Sequence, residues 1–170
     1  MRGEGQPAPP SPSLTLSLPE TDVSQGLSLS ARPDRARIAP VENTAGYTVF
    51  HAGELDWKQR REGDPRLVAT LSDAMTQSRA NLFRYPAGAF GRRHIDPIQE
   101  EVFVVLDGTL TIHMGEGDEP EQHELTKGSV LVVQPGTALQ LSNRQDEELH
   151  LFIAGAPPER GEATFLPTVE

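Results

Sequence analysis

The chain has 170 residues and a mass of 18.5 kDa, enough for one ordinary domain and a tail. Fifteen Lys and Arg against 25 Asp and Glu give a net charge of −10, so a phosphate-backbone binder is excluded and no nucleic acid partner is expected. The absence of cysteine excludes disulfides, thiolate metal sites and thiol nucleophiles, and apolar runs of about five residues fall far short of the roughly 20 that span a bilayer, so no membrane partner is expected.

Residues 1–45 form a Pro/Ser-rich arm with seven prolines and no aromatic residue, expected to be partly disordered, above all over residues 1–12. Met1 to Gln6 carry no continuous apolar stretch of the signal-peptide kind, which makes cytoplasmic the expected compartment. Within the arm, Leu14, Leu16 and Leu18 alternate with Thr15 and Ser17, and Leu27 and Leu29 with Ser28 and Ser30. That period of two predicts short edge strands able to pair at a sheet edge, in keeping with an expected homodimer.

From residue 46 to 170 the pattern is a β domain with a C-terminal tail. Strands are predicted over Tyr47–Phe50, Arg66–Leu71, Ala80–Tyr85, Glu101–Leu106, Thr109–Met114, Val130–Val133, Ala138–Leu141 and Glu148–Ala154. A helical turn is predicted around Leu55–Arg60. The Asp107-Gly108 pair predicts a hairpin. Residues Glu116–Glu124, with five acids in nine positions, predict a solvated loop. Gly and Pro, 15 each, argue for short elements joined by turns rather than a helix bundle. Many short strands at regular spacing predict an all-β sandwich or jelly-roll barrel.

The informative stretch runs from Gly88 to Gly108. Gly88 is followed after five residues by His94, then Asp96, then after four more by Glu101, and after six by Gly108. Downstream, Gly128, Gly136 and Asn143 are spaced with Gln134 and Pro135 between the first two and Leu139 before the last. This pair of patterns resembles the two motifs of the cupin superfamily, and the resemblance implies an all-β cupin jelly-roll barrel of two packed antiparallel sheets. In that family the first motif carries His-x-His before the Glu and the second carries another His. Here Asp96 and Leu139 take the second and third imidazole positions. The resemblance therefore implies at most a reduced metal set of His94, Asp96 and Glu101, suited to Mn, Fe or Zn, with Leu139 unable to ligate.

Period two places His94 and Asp96 on one face of an extended segment, and Gln99, Phe103 and Val105 share the parity of Glu101. His94 and Glu101 are the candidate catalytic groups. Gln99, Phe103, Val105 and Leu139 are the candidate ligand-lining residues, an apolar wall beside a few polar groups. His113 and His150 lie on predicted strands, and either one facing inward would restore an imidazole. The sequence carries no P-loop, nucleophile elbow, His-Glu-x-x-His or dinucleotide fingerprint. The expected function is the binding of a small organic metabolite, metal-independent or weakly metal-binding. The alternative is a metal-dependent dioxygenase or isomerase using His94, Asp96 and Glu101.

Overall fold

The structure, a computed structural model, describes residues 46–159 and 161–169. The expectations for the arm, including its Leu14–Leu18 and Leu27–Leu29 alternations, lie outside the described residues. Eleven strands are described: β1 (Lys58–Gln59), β2 (Leu67–Thr70), β3 (Arg79–Tyr85), β4 (His94–Ile95), β5 (Glu100–Asp107), β6 (Thr109–Met114), β7 (Glu121–Thr126), β8 (Val130–Val133), β9 (Ala138–Ser142), β10 (Leu149–Ala156) and β11 (Thr164–Phe165). They form two antiparallel sheets, one in the order β1-β2-β3-β10-β5-β8 and the other β11-β4-β9-β6-β7. Among the described residues, helix is confined to two single 3-10 turns, Ala52–Glu54 and Ser72–Ala74, and no helix is long and apolar enough to cross a membrane.

Alternation decides which residues meet between the sheets. Phe83 of β3 pairs with Leu151 of β10, and Leu151 pairs in turn with Val105 of β5. Leu110, Ile112, Leu139 and Leu149 complete the same buried cluster. Each fully buried Leu, Ile or Val stabilises the closed sandwich by about 1.5–3 kcal/mol relative to exposure.

Several sequence expectations are corrected. Tyr47–Phe50 is exposed and forms no strand, and among the described residues no strand pairs with it. The helical turn expected around Leu55–Arg60 is displaced upstream to Ala52–Glu54, and Lys58–Gln59 is the strand paired with Leu67–Val68. Asp107-Gly108 is no hairpin, for β5 pairs with β10 and β8 whereas β6 pairs with β7 and β9. It is the corner at which the chain leaves one sheet for the other. Gly108 (φ +77°) is required there: a Cβ would sit 3.0 Å from the Glu148 carbonyl oxygen and 3.1 Å from Leu149 Cα. The second half of the expected acidic loop is β7, an edge strand whose Glu and Gln side chains remain in solvent. Charge on an edge strand discourages pairing with another chain, and only Leu125, opposite Leu110, touches the core cluster. The C-terminal tail, finally, contributes β11 to the edge of the second sheet.

Leu151, fully buried between Phe83 and Val105, gives the direct test of this packing. Leu151→Ala is expected to lower unfolding free energy in urea by about 2–5 kcal/mol. Leu106→Ala, on the exposed side of β5, should change it by no more than about 0.5 kcal/mol.

Candidate functional site

The sandwich is filled with aliphatic side chains at one end and holds a cavity of about 380 Å³ at the other. One wall comes from Val68 and Thr70 of β2, the inward residues Arg79, Asn81, Phe83 and Tyr85 of β3, and Glu101 and Phe103 of β5. The facing wall comes from Gly91 and Arg92 before β4, His94 on it, Leu141 of β9 and Phe165 of β11.

The chain entering β2 sets a buried ion pair into this cavity. Arg66 donates from Nε to Asp64 Oδ1 at 2.8 Å and from Nη2 to Oδ2 at 2.6 Å, a bidentate pair, and its backbone amide bonds Oδ1 at 3.1 Å. Both residues are buried. Nη1 of Arg66 reaches the Tyr85 hydroxyl at 3.3 Å. Across the cavity Gly91 leaves room for the guanidinium, since a Cβ there would lie 3.1 Å from Nη1 and 3.5 Å from the Leu141 carbonyl oxygen. The Arg66 hydrogen bonds hold the Asp64 carboxyl down at about 2. Burial pushes the Tyr85 hydroxyl up, so it stays protonated and available as a donor.

A second cluster lies at the start of β3. Arg79 Nε donates to Gln99 Oε1 at 2.7 Å, Arg79 Nη2 donates to the same oxygen, and Nη2 also meets Glu101 Oε1 at 3.0 Å. Gln99 is itself anchored by donating to the Pro157 carbonyl at 2.7 Å. Glu101 thus faces the cavity already paired with a guanidinium.

Of the residues singled out in the sequence, His94, Asp96, Glu101 and Phe103 line the cavity. His94 stands in register with Leu139, so the two motif strands are neighbours. Gln99 is buried behind the wall as the bracket for Arg79, while Val105 and Leu139 pack in the aliphatic core beyond the cavity. His113 shares the parity of Thr111, opposite Leu110 and Ile112, and is buried on the outer side of β6 with its Nε2 3.1 Å from Gln122 Oε1. Burial there lowers its pKa. His150 also turns away from the core and meets Glu148 at 2.7 Å. Neither restores an imidazole to the barrel interior.

The two motif carboxylates are engaged in ways that do not fit a metal ion: Asp96 Oδ1 accepts from the amides of Ile98 and Gln99 at 3.0 Å each, and Glu101 is paired with Arg79. His94 Nδ1 is 3.0 Å from the Arg92 carbonyl, a contact that orients the ring and leaves the metal question to the carboxylates. Among the described residues no three His, Asp or Glu side chains are grouped to hold a metal.

Sequence reasoning missed the arginines. Arg60, Arg61, Arg66, Arg79 and Arg92 all line the cavity. A net charge of −10 conceals them, yet the chain has 13 Arg and only two Lys, a bias toward the planar side chain suited to buried pairing and bidentate recognition. The parity of Arg79 with Asn81, Phe83 and Tyr85 along β3 was the local signal.

A family model for the cupin domain matches residues 81–155. No curated protein sequence matches. Among solved structures, an uncharacterized double-stranded β-helix protein from Klebsiella pneumoniae is similar at 17% identity and a TM-score of 0.58, covering 72% of this chain and 99% of that one. A sugar phosphate isomerase of the cupin superfamily from Silicibacter pomeroyi is similar at 22% identity and 0.56, covering 64% and 75%. A polyketide cyclase from Streptomyces resistomycificus is similar at 15% identity and 0.61, covering 73% and 88%. At these identities the likeness is one of fold.

The Asp64–Arg66 pair has a pH signature. Its carboxyl titrates at about 2 when folded against 3.8 in the unfolded chain, so the unfolded state binds the proton first as pH falls. The pair's contribution, of the order of 2 kcal/mol, is fully present above about pH 4 and is lost as pH falls through about 2. Denaturant titrations of Asp64→Asn should show a flatter stability profile between pH 4 and 2 than wild type; superimposable slopes would remove this role for Asp64.

Proposed function

We propose that this chain, whose residues 81–155 match the cupin domain model, binds a small organic metabolite inside the barrel and does so without a resident metal ion. The observation that carries this reading is the cavity of about 380 Å³, within the range of roughly 300–1,000 Å³ typical of small-molecule sites. Its wall has the composition such sites share: an apolar surface of Val68, Phe83, Phe103, Leu141 and Ile153, with polar groups held in place by partners of their own. The pairing of Glu101 with Arg79 supports the metal-independent half of the proposal. A divalent cation would have to displace a guanidinium from Glu101 and two backbone amides from Asp96 Oδ1, the two motif carboxylates on the cavity wall.

Incubation with a cell metabolite extract, followed by desalting and native mass spectrometry, tests the reading. Wild type should retain a small molecule that Val68→Trp, which fills the cavity, does not retain while still melting cooperatively. Equal retention by both proteins would place binding elsewhere. Exhaustive EDTA treatment should leave the melting temperature and the retained species unchanged. A loss of both, restored by Mn, Fe or Zn, would instead favour the metal-dependent enzyme.

A further inference from the structure

Tyr85 brings to the cavity wall a hydroxyl that the fold leaves half satisfied. Its side chain is 1% exposed, its ring meets Phe83 edge to face at 6.3 Å, and its backbone carbonyl accepts from Asn143 Nδ2 at 2.9 Å, so the ring is fixed. The hydroxyl oxygen accepts from Arg66 Nη1 at 3.3 Å. A guanidinium has no lone pair to offer in return, so the Tyr85 proton needs another acceptor. Among the described residues it has none. The Leu141 carbonyl, close by, is taken by the Gly91 amide at 2.7 Å. A buried donor without an acceptor is costly, and native interiors rarely keep one. Gly91 holds open the space beside this hydroxyl. A Cβ there would lie 3.7 Å from the Tyr85 hydroxyl oxygen and 3.1 Å from Arg66 Nη1, so both atoms border one gap, and both are donors. Asp64 grips Arg66 through Nε and Nη2, which leaves Nη1 as the edge turned to this gap. The same bidentate pair already matches the Arg66 charge, so this corner offers directed O–H and N–H donors.

We propose that the ligand of this cavity carries an uncharged carbonyl oxygen, that of a ketone, ester or amide, which accepts from the Tyr85 hydroxyl and from Arg66 Nη1 in the gap beside Gly91. This rests on the reading of the cavity as a ligand site and adds the functional group that the ligand presents. A carbonyl oxygen has two lone pairs and takes both donors at once, while the body of the ligand lies against Phe83 and Phe103. A hydrocarbon of the same shape would shut water out and leave the Tyr85 proton unpaired. A site built around a hydrogen bond rejects the analogue that lacks it, which makes Tyr85 the residue that selects for this group.

Calorimetric titration with acetophenone and ethylbenzene, which differ in the carbonyl alone, tests the group. Tyr85→Phe keeps the ring and removes the hydroxyl; it should weaken acetophenone by about three- to tenfold and leave ethylbenzene unchanged. Gly91→Ala, whose methyl enters the gap, should weaken acetophenone in the same sense. Leu106→Ala, on the exposed side of β5, should bind both probes as wild type does. Infrared difference spectra with an isotope-labelled carbonyl read the bond itself. The stretch should fall below its value in hexane when acetophenone binds wild type, and recover part of that fall in Tyr85→Phe. The wild-type spectrum stands as a test even where the variant does not fold. Equal weakening of both probes, or a carbonyl stretch unmoved by binding, would overturn the carbonyl proposal and leave the cavity reading intact. Acetophenone binding that survives in Val68→Trp would place the probe outside the cavity and overturn the proposal as well. Failure of acetophenone to bind at millimolar concentration would overturn it outright, while retention of a metabolite by wild type would still uphold the cavity reading.

Discussion

A guanidinium cannot be taken out of water without a partner, and this fold turns two of them toward the space between its sheets. Arg66 and Arg79 arrive there by strand alternation, on the same side as Val68, Phe83 and Tyr85. Had those positions been aliphatic, the two inner faces would close upon each other as they do around Leu110, Ile112, Leu149 and Leu151. Instead each arginine brings its own acceptor, Asp64 for one and Gln99 with Glu101 for the other. Removing one partner of such a pair costs about 3–5 kcal/mol, whereas an intact pair contributes far less. The ion pairs thus act mainly to keep one end of the sandwich open and polar, while the aliphatic end supplies the stability.

The fold was legible in the sequence to the extent that alternation and motif spacing report it. The strands with one apolar face, such as β3, β6 and β10, were visible as strands because their inward residues recur every second position. What escaped was structure set by pairing rather than by burial. Strand β7 has no apolar face apart from Leu125, and β11 is two residues long, so neither carries a periodicity to read. The Asp107-Gly108 pair predicted a hairpin, and the chain turns there without forming one. A local signal does not tell whether the next strand stays in the same sheet, and here the close approach to Glu148 and Leu149 sends it to the other.

The site was legible only in part, for a related reason. Motif spacing located His94, Asp96, Glu101 and Phe103, all of which reach the cavity, because they sit on or beside strands of fixed parity. It did not fix depth along the barrel, which is why Val105 and Leu139 share the inward parity and yet belong to the core. Nor did it show what each motif residue would bond. Asp96 stands where an imidazole ligand stands in the family's motif, but its carboxylate organises the turn into β5 by accepting from Ile98 and Gln99. Arg79, far from the motif in sequence, reaches the carboxylate of Glu101 through the β3–β10–β5 ladder, in which Arg79 and Glu101 both lie opposite Gly155.

The central claim is that the open end of the sandwich takes up a small molecule. The most direct measurement is methyl NMR of Val68, Leu141 and Ile153, which line the cavity, while a cell metabolite extract is added. The expected result is that these three signals move together while those of Leu110 and Ile112, in the aliphatic core, stay in place. Signals of Val68, Leu141 and Ile153 that remain unmoved, or a response confined to Leu110 and Ile112, would contradict a ligand-binding cavity at this end of the barrel.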